Sequence, residues 1–150
     1  DVYLPEFEEF LIDTTPEDSG VTDIVIGGSL LGDIEDLSEV LFEVPLNLWV
    51  MEHIAMFNRK IIKVHGDLHC ARDIDAFDFI IKGDFTCKGY ADITCAEVGG
   101  DTTIKGNVGE NCTIIRTLGD FTCCGDCGAD VLVGGLFICE GKFTGEVAKA

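Results

Sequence analysis

Four carboxylates, Asp67, Asp84, Asp101 and Asp120, each follow a glycine and recur at offsets of 17, 17 and 19 residues. If the chain coils with that period, they stack into an outward ladder of like charges, which something must offset. One solution is structural: each carboxylate accepts hydrogen bonds from backbone N–H groups of its own corner, as Asp does in turns. The other is chemical, a stripe of bound calcium. The Gly-Gly-x-Gly-x-Asp nonapeptide of calcium-binding β-rolls is absent, so corner capping is the expectation and no metal is expected.

Cys123-Cys124-Gly125-Asp126-Cys127 contains one Cys-x-x-Cys, at Cys124 and Cys127. A structural zinc would need a second pair, for which Cys112 and Cys139 are the near candidates. Core packing of Cys123 and Cys127, with Cys124 pointing outward, is the simpler reading; a redox thiol at Cys124 is the other. His53, His65 and His69 fall on corners or outward positions, where acid–base catalysis would need a cleft. The turns are too short to hold an acyl donor or build a groove. No Ser-His-Asp set and no phosphate loop occurs, and Gly27-Gly28 and Gly99-Gly100 read as corners. The sequence therefore points away from an enzyme, with no cofactor.

Trp49 sits among Phe42, Met51, Met56 and Phe57 in the densest cluster of large apolar residues. It alternates with Leu48 and Val50, so it points outward if they point inward. Either residues 36–43 or an N-terminal cap covers it, or it anchors a protein interface.

What must position these residues is a repeat. Gly66-Asp67-Leu68-His69-Cys70 returns as Gly83-Asp84-Phe85-Thr86-Cys87, Gly100-Asp101-Thr102-Thr103-Ile104, Gly119-Asp120-Phe121-Thr122-Cys123 and Gly135-Leu136-Phe137-Ile138-Cys139. A period just under 20 residues with apolar positions two apart is the mark of a solenoid that adds one turn per unit. The fold class is all-β: a single-stack parallel β-solenoid, or β-helix, of six to seven turns of 16–20 residues. Turns begin near residues 28, 46, 66, 83, 100, 119 and 135. Leu30 is placed in the position of Leu68. A second strand aligns Ile54, Ile74, Ile93, Val108 and Cys127. A third aligns Ile62 and Val64, Phe79 and Ile81, Val98, Ile114, then Val131 and Val133. At roughly 4.8 Å per rung the rod is about 30 Å long.

Eight cysteines in 150 residues could mean a disulfide framework. Yet Cys70, Cys87, Cys123 and Cys139 share one repeat position with Val50 and Ile104, so the thiol serves as a small buried hydrophobe. That implies a reducing compartment, the cytoplasm. With 47% hydrophobic residues the chain is no disordered polyanion. No apolar run reaches 18 residues, so no membrane span is expected. The first residue is Asp1, and no basic-then-apolar leader follows.

The net charge of −18 is uneven: residues 1–58 hold 14 of the 28 acids and no Lys or Arg. Residues 1–23 do not match the repeat and read as an acidic cap or docking arm; residues 24–150 read as the solenoid, with two degenerate first turns. Leu4, Phe7, Phe10 and Leu11 have helical spacing, and residues 36–43 read as a short helix or bulged corner.

Runs such as Ile81-Lys82-Gly83-Asp84-Phe85-Thr86-Cys87 resemble the polymer-forming bactofilin domain, a short-turn β-helix of bacterial cytoskeletal proteins. The resemblance spans residues 61–145 and implies self-assembly; the acidic first 58 residues lie outside it. Two functions are expected. The first is a non-enzymatic structural or interaction protein, acting through protein–protein contacts or as a homodimer or polymer. The second is an acidic inhibitor that mimics nucleic acid or blocks a basic nucleic-acid-binding protein, in the manner of phage anti-defence and anti-CRISPR proteins. Its docking residues would be Glu6, Glu8, Glu9, Asp13, Glu17, Asp18, Asp33, Glu35, Asp36 and Trp49. The partner is then self or a basic protein; charge excludes direct nucleic-acid binding.

Overall fold

Short strands with inward residues two apart cannot bury their apolar face alone, so they stack rung upon rung. The chain does this as a parallel β-solenoid, and the computed structural model describes residues 2–4, 23–32, 42–56, 61–109 and 114–150. Among these residues there is no helix, and every strand pairing is parallel. The first face is an eight-stranded sheet: Val2–Leu4, Asp23–Ile26, Asn47–Val50, Leu68–Cys70, Phe85–Cys87, Thr102–Ile104, Phe121–Cys123 and Phe137–Cys139. The other two faces form a nine-stranded sheet from Leu30–Gly32 to Val147–Lys149.

The register defines columns of equivalent residues. On the first face Ile24, Leu48, Leu68, Phe85, Thr102, Phe121 and Phe137 stack, as do Ile26, Val50, Cys70, Cys87, Ile104, Cys123 and Cys139. The second face runs Leu30, Ile54, Ile74, Ala91, Val108, Cys127 and Phe143. On the third, Ile62 and Val64 are followed by Phe79 and Ile81, Ala96 and Val98, Ile115 and Thr117, then Val131 and Val133. In Ile74–Ile81 one strand serves two faces. Its inward alternation is broken by the consecutive half-buried Phe77 and Asp78, which turn the chain between Ala76 and Phe79.

The expected architecture and the buried thiols hold. Cys70, Cys87 and Cys123 are fully buried, and Cys139 packs half-buried on the last rung. Three details differ. Ile24 and Ile26, not Leu30, occupy the Leu68–Cys70 position, because Leu30 already lies on the second face beside Ile54. Ala91 aligns with Ile74, while Ile93 pairs with Ala76. Ile115 faces inward and Ile114 is its outward neighbour. Of the segment expected as a short helix or bulged corner, residues 36–41 lie outside the described residues; Phe42 begins the strand Phe42–Val44, which pairs with Ile61–Val64. In the segment expected as a cap, Val2–Leu4 pairs with Asp23–Ile26 as a further rung of the first face; the helical spacing proposed over Phe7, Phe10 and Leu11 lies outside the described residues.

One rung departs from an apolar interior. Thr102 and Thr117 are both fully buried, and their hydroxyls meet at 2.8 Å across the core. A buried hydroxyl is tolerated when partnered and costly when orphaned. Thr117→Val should therefore destabilise the fold by about 1–3 kcal/mol, while Thr102→Val with Thr117→Val should recover most of that loss. Urea denaturation of the two variants measures the difference.

Candidate functional site

The aspartate ladder is real, but its bonds run between rungs rather than within corners. The Asp84 N–H donates to Asp67 Oδ1, Asp101 to Asp84, Asp120 to Asp101 and Leu136 to Asp120, each at 2.8 Å. Asn47 Oδ1 begins the series by accepting from the Asp67 N–H at 2.7 Å. Each side chain thus closes a backbone donor one turn later, so the expectation of own-corner capping is corrected. Both arrangements use the same residue types, and the amino-acid pattern alone does not separate them.

The same contact explains the glycines. A Cβ on Gly83 would lie 2.0 Å from Asp67 Oδ1, and Gly100, Gly119 and Gly135 meet the carboxylate of the rung below at 2.1 Å. The φ of Gly83 is not left-handed, so glycine is required by space, not by backbone twist. Gly-Asp is a two-rung device: the glycine makes room for the oxygen beneath it, and the aspartate presents the next oxygen above.

A second corner repeats the device with mixed chemistry. Ser29 Oγ accepts from the His53 N–H, His53 Nδ1 from the Asp73 N–H, and Asp73 Oδ1 from the Tyr90 N–H, at 3.1, 3.3 and 2.9 Å. After Tyr90 interrupts the series it resumes with Asn107 and Asp126, which accept from Asp126 and Lys142 N–H groups at 2.8 Å. Asp130 Oδ1 accepts from the Glu146 N–H at a third corner.

Negative charge crowds around Tyr90. Burial first, and then Asp92 on the next rung, raises the Asp75 carboxyl above its ordinary range. Burial and the nearby Asp73, Asp75 and Asp92 likewise raise the Tyr90 phenol. Among the described residues no group of three or more His, Cys, Asp or Glu side chains is arranged to hold a metal ion. Shallow notches lie among the described residues, one of about 210 Å³ lined by Lys82, Gly99 and Leu118 and another of about 300 Å³ lined by Gly109 and Gly128.

The thiols are placed as donors. Cys87 Sγ lies 3.2 Å from Arg72 O and 3.4 Å from Tyr90 O, and Cys123 Sγ lies 3.4 Å from Gly125 O. Cysteine suits this column because it fills an aliphatic-sized space and also reaches corner carbonyls. A hydrogen bond to the neighbouring thiol, then burial, holds Cys87 and Cys123 protonated to well above the ordinary thiol range. Cys124 is half-buried.

Trp49 points outward as expected and is 38% exposed. It stacks on His69 with ring centroids 3.8 Å apart, and its Nε1 donates to Asp23 Oδ1 at 3.1 Å. Asn47 Nδ2 donates to the same oxygen at 3.0 Å. His65 lies elsewhere, paired with Glu43, whose carboxyl that hydrogen bond holds below its ordinary range. The remaining expected docking residues, Glu6, Glu8, Glu9, Asp13, Glu17, Asp18, Asp33, Glu35 and Asp36, lie outside the described residues, as do Phe57 and Cys112.

The last rung is less covered than the one before it. Phe121, Cys123, Cys127 and Val131 are buried, but their counterparts Phe137, Cys139 and Phe143 are half-covered and Val147 is exposed. Phe137 stacks on Phe121 at 5.4 Å and meets Phe143 at a tilt of 53° at 4.8 Å, so the three rings form one aromatic cluster. Leu136 and Ile138 add 67% and 46% exposed side chains. The signal was present: the fifth copy of the phrase writes Leu136 where the others write Asp.

Compared with known proteins, the chain matches no family model, no curated protein and no solved structure. Among the described residues no helix is long and apolar enough to cross a membrane.

The ladder makes a direct test. Asp67→Ala should cost about 1 kcal/mol, while Asp67→Asn, which keeps the oxygen as Asn47 and Asn107 do, should be close to neutral. Gly83→Ala should cost more than either, and Asp67→Ala should recover part of that cost when combined with it; thermal melts of the four variants decide. Alkaline pH gives a second test. A thiol whose pKa is raised on folding contributes stability that is complete below its unfolded pKa of about 8.5 and is lost as pH rises above it. The melting midpoint should therefore fall above about pH 8.5, and fall less steeply in Cys87→Val, which places in this column the residue found at Val50.

Proposed function

We propose that this protein is a non-enzymatic structural module that joins to further copies of itself through its last rung. The observation that carries the reading is the half-covered core there. Phe137, Cys139, Phe143 and Val147 continue the interior columns, and among the described residues no further rung covers them. Among the described residues the strands Phe137–Cys139 and Val147–Lys149 stand outermost in their sheets, each with one edge unpaired. Open edges beside apolar surface are sites of pairing with another chain.

Two further features support a junction at this end. Leu136 and Lys142 stand at ladder positions on this rung and bring an apolar and a basic side chain where earlier rungs carry an aspartate. Residues 135–150 balance Glu140 and Glu146 against Lys142 and Lys149, whereas residues 1–58 hold 14 acids without a base. Two copies therefore meet with least repulsion at the last rung. The β-solenoid agrees with the resemblance to bactofilins, and polymer formation is the part of it that this proposal adopts.

The charge of residues 1–58 favours a second reading, an acidic inhibitor of a basic nucleic-acid-binding protein. In it Trp49, held by Asp23 and His69, is the apolar anchor within the acidic half.

Size-exclusion chromatography with light scattering separates the two. The assembly reading expects a mass that rises with protein concentration, persists in high salt, and reverts to the monomer in Leu136→Asp with Ile138→Asp. A monomer at all concentrations that binds a basic nucleic-acid-binding domain only at low salt gives the second reading and defeats the first.

A further inference from the structure

Strictly in-register thiols on neighbouring rungs are a consequence of the repeat. Cys70 pairs with Cys87, and Cys123 pairs with Cys139. In each pair both sulfurs converge on one carbonyl: Cys70 and Cys87 lie 3.6 and 3.2 Å from Arg72 O, and Cys123 and Cys139 lie 3.4 and 3.6 Å from Gly125 O. What distinguishes the pairs is access. Cys70 and Cys87 are sealed, but Cys139 is half-buried on the open last rung, directly over the buried Cys123.

We propose that Cys123 and Cys139 form a reversible disulfide that ties the last rung to the one before it. Paired parallel strands hold their Cα atoms roughly 4.8 Å apart, inside the 4.4–6.8 Å window for a disulfide. Side chains in register point the same way, so the Cβ atoms stay about as far apart, just beyond the usual 3.5–4.5 Å. The bond therefore forms with strain, and strained disulfides are the readily reduced ones. Cys70 and Cys87 have the same register but no route for an oxidant.

The oxidant is a low-molecular-weight disulfide. Cys139 loses its proton to solvent, and its thiolate attacks one sulfur of the reagent, expelling the other half as a thiolate. Cys123 then loses its proton and attacks Cys139 Sγ in the mixed disulfide, expelling the second half. One S–S bond forms in the protein, one breaks in the reagent, and two electrons pass to the reagent, which leaves as two thiols. Burial raises the Cys139 thiol, so the first step is slow at neutral pH and faster in mild alkali. Nothing here depends on self-assembly.

The test treats the full chain, at its lowest workable concentration, with glutathione disulfide, followed by alkylation and peptide mapping by mass spectrometry. The expected product has lost two hydrogens, carries a Cys123–Cys139 cross-link and leaves Cys70 and Cys87 unlinked. Its melting midpoint rises by on the order of 5 °C and falls back with dithiothreitol. Cys124→Ser should keep both effects, and Cys139→Val should abolish both. A Cys139 that stays free to alkylate, an unresolved glutathione adduct, or a link from Cys123 to Cys127 instead would each overturn the proposal.

Discussion

The structure depends on one hydrogen bond made many times: a side-chain oxygen at a corner accepting from the backbone N–H one turn later. Strand ladders alone do not fix where a corner falls, because sliding a rung by two residues keeps every inward side chain inward. The corner bond removes that freedom. From Asn47 to Asp120 it is made at 2.7–2.8 Å in five successive steps, and a Cβ on the glycine one rung on would collide with that oxygen. Register, corner position and residue choice are set by the same contact.

This assigns the acidic composition two separate roles. The carboxylates of Asp67, Asp84, Asp101 and Asp120 serve the backbone, with an oxygen already engaged. Their mutual repulsion is offset because each negative charge meets an oriented N–H dipole. Asn47 and Asn107 in equivalent places show that the oxygen is the essential part and the charge is secondary. The acids of residues 1–58 are a different population, concentrated in a half of the chain without a base, and the charge asymmetry bears on partners through them.

Much of this architecture was legible in the amino-acid order. The fivefold phrase revealed the period, and interchange of cysteine with Val50 and Ile104 revealed the buried column. The errors lie where a pattern has two solutions. Ile24-Val25-Ile26 and Leu30 both have the apolar spacing of a rung start, and only pairing with Asn47–Val50 decides between them. Ala91 was passed over for Ile93 because a small residue carries little hydrophobic signal, although it is as fully buried. Ile114 and Ile115 are adjacent aliphatics, and composition cannot say which turns inward. The open last rung was visible as Leu136 in place of aspartate. Its meaning emerged only when the aspartates proved to serve the rung above.

Because each rung offers on its upper side the same oxygen that it consumes on its lower side, the length of this rod is not fixed by its interior. A 17-residue unit such as the one opening at Gly83 could be duplicated or lost by recombination, with both new seams meeting compatible neighbours. Most globular cores forbid such edits, since every layer there is shaped to a unique companion. Descendants of this chain are thus free to vary in reach while keeping the same corner contact between any two neighbours.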